Sequence, residues 1–148
     1  MIRNLFSTDP DWTLTAIRLI LGVVFFAHGA QKLLGWFGGA GLKETLRTMQ
    51  QFVGLPAPVA LLAVMAEFLG GLGLIAGLLS RLAAIGICVT MLSAILMVHG
   101  RNGLFMNWLG DRKGHGIEYH LLAIGLAIAI VVRGSGAVSL DRLLYTLQ

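Results

Sequence analysis

Four long apolar runs constrain this chain more than any other feature, at residues 14–36, 57–79, 81–100 and 117–132. A helix needs roughly 17–25 mostly apolar residues to cross a bilayer. Lipid offers no partner to a backbone N–H or C=O, so such runs must satisfy their own main chain as helix. A closed β-barrel would show short alternating strands, and the sequence contains no such pattern. Composition agrees. Of 148 positions, 57% are apolar and 12% charged, against ~25% charged in an ordinary soluble domain. The expected fold is an all-α, integral membrane, antiparallel four-helix bundle, one domain over residues 1–148. The first run outlasts the ~7–15 residues of a signal-peptide core, and Arg18 interrupts it, so it is read as a retained helix.

The connections carry their own signals. Only Ser80-Arg81 separates the second and third runs, which calls for a tight hairpin. Asp9-Pro10-Asp11-Trp12-Thr13 reads as a helix start, with Trp12 at the interface. In the first long loop, Leu42, Leu46, Met49 and Val53 recur at helical spacing, with Lys43, Glu44, Arg47 and Gln50 between them. That pattern predicts a short amphipathic helix on the membrane or over the bundle. The second long loop, 101–116, is polar and glycine-rich, and the tail from Arg133 reads as short. Six basic residues fall on the long-loop side (Lys32, Lys43, Arg47, Arg101, Arg112, Lys113) and five on the other (Arg3, Arg18, Arg81, Arg133, Arg142). This balance leaves orientation open. The net charge of +4 forms no basic cluster interleaved with aromatics. Membrane lipid, not nucleic acid, is therefore the expected partner. Cys88 is the only cysteine, which excludes an internal disulfide or redox pair.

Against this apolar background Glu67 stands out. It lies ten residues into the second run, ~15 Å deep at 1.5 Å per residue, near the middle of a ~30 Å hydrocarbon core. An acidic group there costs ~2.5–3.5 kcal/mol even on the mildest insertion scale, so it must be protonated, paired or wetted. Antiparallel crossing brings several polar residues to the same half of the membrane, the half with the long loops. His28 lies ~12 Å inside the end of the first run, with Lys32 one turn further on the same face and Gln31 beside it. His99 closes the third run, while Glu118 and His120 open the fourth. Spacing thus predicts a polar pocket open toward the long loops, with Glu67 at its floor. Glu67 and His28 are the candidate proton-transfer pair. Lys32, Gln31, His99, Glu118 and His120 are candidate substrate contacts. Gly70, Gly71, Gly73 and Gly77 follow Glu67, and Gly73-x-x-x-Gly77 is read as a close-packing pair. Arg18, in the opposite half, is expected to snorkel to the near surface.

Histidines and carboxylates bind metals, but no HExxH or other compact ligand motif is present, so no metal is assigned. Neutral histidine beside a desolvated carboxylate also suits a quinone. Its ring and tail want an apolar slot, and its oxygens want donors that deliver protons on reduction. A structural role for a neutral Glu67 stays open alongside this.

Three stretches carry a family resemblance: "RLILGVVFFAHGAQKLLGWFGG", "AEFLGGLGLIAGLLSRLAA" and "GIEYHLLAIGLAIAIVVRGSGAVSLD". Together they make the chain similar to the DoxX family of small bacterial membrane proteins. The resemblance implies a four-helix protein of the bacterial plasma (inner) membrane, linked to quinone-dependent oxidation. The closing Gly-x-Gly-x-x-Ser-x-Asp run follows a membrane helix rather than a strand, so it is no dinucleotide fingerprint. No flavin, haem or iron–sulfur signature is present, so a redox partner protein, soluble or membrane-bound, is expected to carry the electrons. Two other readings remain: a non-catalytic adaptor that anchors a soluble redox enzyme, and a small-molecule or ion transporter. The second draws on a short echo between "HGAQKLLGWFGG" and "HGRNGLFMNWLGD".

Overall fold

The computed structural model describes residues 5–111 and 113–147; Arg3 and Arg112 of the charge balance lie outside the described residues. Among those described there is no strand. The helices are α1 (Trp12–Leu34), α2 (Gly41–Thr48), α3 (Ala57–Ala76), α4 (Ser80–Ala94), α5 (Glu118–Arg133) and α6 (Leu140–Thr146). A π turn (Ile95–His99) and a 3-10 turn (Gly100–Asn102) extend α4 into one rod over Ser80–Asn102. This rod, α1 and α3 are long and apolar enough to cross a membrane. With 16 residues, α5 reaches only ~24 Å.

Cap chemistry, not hydropathy, sets the helix ends. The Asp11 carboxylate accepts from the Thr13 N–H at 2.7 Å and starts α1, as its sequence signal indicates. Gly35, at φ 74°, stops α1 before Trp36. Gly77, at φ 68°, stops α3 in the same way. The hairpin turn is therefore Gly77-Leu78-Leu79, and Ser80-Arg81, expected as the connector, already belong to α4. A positive φ asks for glycine but not for polarity, so this turn leaves no mark in the hydropathy profile.

A turn built of apolar residues still presents bare N–H and C=O groups, and two buried charges answer them. Arg18, only 2% exposed, donates to the carbonyls of Leu74 and Ile75 (2.9 Å for the latter). It also donates to those of Ser135 (3.0 Å) and Val138 (2.7 Å) in the tail. Asp141 is fully buried. It accepts from the N–H groups of Leu79 (2.6 Å) and Ser80 (2.9 Å) and from the Ser135 hydroxyl. Arg18 thus does not snorkel: the unpaired carbonyls of the last turn of α3 take its donors first. The tail is also more structured than its length suggests. Ser139 caps α6 by accepting from the Arg142 N–H at 3.1 Å. The Gly-x-Gly-x-x-Ser-x-Asp run is the lock on this end of the molecule.

Of the glycines that follow Glu67, Gly71 makes the close helix approach. Gly77 is a cap that lies tight against Ser139 of the tail, so it makes its close approach there and not to a neighbouring long helix. Gly71 lies on the backbone of Phe25 and Phe26, and Gly29 on that of Phe68; a Cβ at either would collide. Moving from Gly22 to Gly29 on α1, the facing residues fall from Leu74 to Phe68, so α1 and α3 run in opposite senses. Gly70 against Ala83 and Gly86 against Ala66 show the same for α3 and α4. The core comprises Leu21, Phe25, Leu74, Ile87, Met91 and Ile130, with alanines of α4 and α5, and Cys88 packs against it. Outward-facing Ile20, Leu62, Val89 and Leu122 are each more than half exposed, a face that suits lipid rather than water. The amphipathic segment forms as α2 and a π turn (Met49–Val53), with Lys43, Glu44, Arg47 and Gln50 exposed.

Candidate functional site

Glu67 is 3% exposed, and its partner is Lys32, whose Nζ donates to both carboxylate oxygens at 2.6 Å. Lys32 is itself 30% exposed. Of the three ways to hold a carboxylate among apolar helices, the fold uses pairing. The pair exists because α1 and α3 cross so closely at Gly29 and Gly71.

The pair stands at the wall of a cavity of about 240 Å³ between α1, the α4 rod and α5. His28, Glu67, Lys32, His99 and His120, five of the seven residues anticipated from spacing, line it together. His99 is the last residue of the π turn that ends α4 and faces the cavity from there. The His99 and His120 rings lie 4.4 Å apart between centroids, tilted by 38°. The His99 Nδ1–H donates to the His115 carbonyl at 2.9 Å. His28 lies 6.0 Å from the Tyr119 ring. Among the described residues, the Tyr119 hydroxyl is buried without a hydrogen-bond partner.

Two anticipated residues are engaged elsewhere. Gln31 donates from Nε2 to the Phe37 carbonyl at 3.2 Å and ties down the turn after α1. Glu118 accepts from the Met106 N–H at 2.9 Å and holds the second long loop. Both share the right depth but face a loop, a distinction that axial spacing alone does not make. The cavity also takes Tyr119, His115 and Met106, which sequence reasoning missed. Tyr119 had a readable signal, since it adjoins His120 at the start of the fourth run. His115 and Met106 had none, because loop residues follow no periodicity. No three His, Cys, Asp or Glu side chains among the described residues form a metal-ligand group.

Lys32, Glu67 and Ala94 are shared with a second hollow, an apolar cleft of about 520 Å³ that includes residues of α3 and α4. The polar cavity and the apolar cleft thus meet at the ion pair.

Comparison with known proteins agrees with this architecture. The DoxX family model matches residues 13–100, more than half of the chain. "Putative oxidoreductase CatD" of Bacillus subtilis (strain 168) is 28% identical over 131 residues, covering 87% of this chain and 84% of that protein. "Inner membrane protein YqjF" of Escherichia coli (strain K12) is 28% identical over 127 residues, covering 86% of this chain and 88% of its own. No solved structure matches significantly.

Proposed function

The chain belongs to the DoxX family of membrane proteins, and from that premise we propose that it is a quinone-interacting membrane subunit of an oxidoreductase system. In this reading α5 crosses the membrane with the three longer rods, completing an antiparallel four-helix bundle in the bacterial inner membrane. The quinone ring occupies the histidine cavity. Its two carbonyl oxygens take hydrogen bonds from the Tyr119 hydroxyl and a histidine N–H. Reduction needs two electrons and two protons per ring. The electrons come from a partner protein, and the protons pass through His28 and the Lys32–Glu67 pair.

One observation carries the reading. The cavity has a buried hydrogen-bonding group without a partner, the Tyr119 hydroxyl, beside the histidines and a buried ion pair. Buried polar groups are nearly always satisfied, so an unmade bond at this spot leaves capacity for a ligand that offers the complement. A neutral ring with two oxygens fits that capacity without bringing charge into the membrane. The name of the B. subtilis relative points to the same class of chemistry.

The test is quinone binding to the purified full chain in lipid nanodiscs. Wild type should bind a short-chain benzoquinone saturably. His120→Phe should weaken binding about tenfold, as expected for ~1.4 kcal/mol of lost hydrogen bonding. Non-saturable uptake, equal in both, would discard the reading. An adaptor role has its own support in Trp108 and Leu109, which are 81% and 89% exposed on the second long loop. An adaptor would co-purify with a soluble partner and keep it in the His120→Phe variant, with no quinone bound by either.

A further inference from the structure

The cleft on the far side of the ion pair has no part in that ring chemistry. Its deeper lining is small: Ala63 and Ala66 on α3 and Gly86 on α4. Leu62 and Val89, which flank these, are mostly exposed and bulky. Met49 and Val53 of the π turn after α2 line it toward the long loops. Small residues within and large ones at the edge make a trough along the bundle rather than a flat lipid-facing wall. Its volume of about 520 Å³ is in the range of ordinary ligand pockets. Lys32, Glu67 and Ala94 belong to both the trough and the cavity, so the two hollows are neighbours with a shared wall.

That junction decides what suits the trough. A molecule with its polar end in the cavity and an apolar chain in the trough must carry that polar end near Glu67, ~15 Å into the membrane. A phospholipid keeps a charged headgroup at the surface, and bringing the charge to that depth is costly. An amphiphile with an uncharged head meets both demands. Resting on the quinone reading above, we propose that the cleft between α3 and α4 seats the polyprenyl or alkyl tail of the same quinone, which enters sideways from the bilayer and passes the Lys32–Glu67 pair.

Two photoreactive quinones test this on the full chain in nanodiscs: one with an azide on the ring, one with a diazirine near the end of a decyl tail. Cross-linked peptides are read by mass spectrometry. The ring probe should mark the segment with Tyr119 and His120. The tail probe should mark Ala63, Ala66 or the stretch around Val89, and excess unlabelled decyl quinone should displace it while excess phospholipid does not. Ala66→Phe fills the trough and should cut tail labelling there at least about tenfold, with ring labelling by a tail-less azidoquinone unchanged. Val89→Trp, on the exposed edge, gives the same test where thermal unfolding shows Ala66→Phe to be misfolded. Ring labelling in the cavity with the tail marking another face overturns the tail seat and leaves the ring site standing. Tail labelling displaced equally by phospholipid assigns the trough to an ordinary acyl chain and overturns the proposal. Failure of the ring probe to mark the cavity removes the quinone reading and the tail seat with it.

Discussion

The two ends of this bundle each bury charge among apolar helices, and they satisfy it to different degrees. At the end holding the hairpin turn, Arg18 donates to four carbonyls and Asp141 takes three donors. Only the Ser80 hydroxyl is left over there among the described residues. At the long-loop end, Lys32 and Glu67 have each other, and beside them the Tyr119 hydroxyl has no partner among the described residues. A closed polar network in a low dielectric rigidifies what it joins, whereas an incomplete one retains the capacity to bind. The contrast separates a closed network of buried charge from an open one without appeal to residue type. Arginine and aspartate build the lock, and lysine and glutamate pair at the wall of the cavity.

The largest expected effect lies at the lock. Arg18→Leu leaves four carbonyls without their donor and Asp141 without a counter-charge. It should cost ~3–5 kcal/mol, the usual loss on removing one member of a buried charged network. Thermal unfolding in detergent reads it, and a melting curve like that of wild type would erase the distinction between the ends. Glu67→Leu should cost less, ~1–3 kcal/mol, because Lys32 is partly exposed and water can screen it. Adding Lys32→Leu should return most of that loss, since an apolar pair of similar volume replaces an ion pair at little cost. If the double variant is no more stable than Glu67→Leu alone, Lys32 holds a partner other than Glu67 and this end of the bundle is as closed as the other. The smallest effect is Tyr119→Phe. Its hydroxyl has no partner to lose, so stability should stay within about 0.5 kcal/mol, while quinone binding weakens roughly fivefold for one lost hydrogen bond. A stability loss above ~1 kcal/mol would show that the hydroxyl is already satisfied, and would sharpen the comparison by moving Tyr119 to the structural side.

The residues most legible in the sequence are those whose depth alone matters. His28, Lys32, Glu67, His99 and His120 each lie a countable number of turns from a helix end, and axial rise converts that count into height. Gln31 and Glu118 pass the same count and go elsewhere, because rotation about the helix axis decides facing and small errors in helix start shift it. The hairpin turn is misplaced for a related reason. Gly77, Leu78 and Leu79 are as apolar as the helices they join, and only a left-handed φ marks the break. Arg18 is misread because its ligands are main-chain carbonyls from α3 and from a tail more than a hundred residues on.

What the sequence determined by itself is what one-dimensional chemistry can carry: helices rather than strands, their approximate spans, and a membrane as solvent. These rest on run length and on the absence of backbone partners in lipid. Tertiary structure alone decided which partner each buried charge finds. That depends on partners brought together from distant points: Lys32 to Glu67, Arg18 to Ser135 and Val138, Asp141 to Leu79. A hydrogen bond is made or missed within a few tenths of an ångström and a few tens of degrees, and only the packed helices set those quantities.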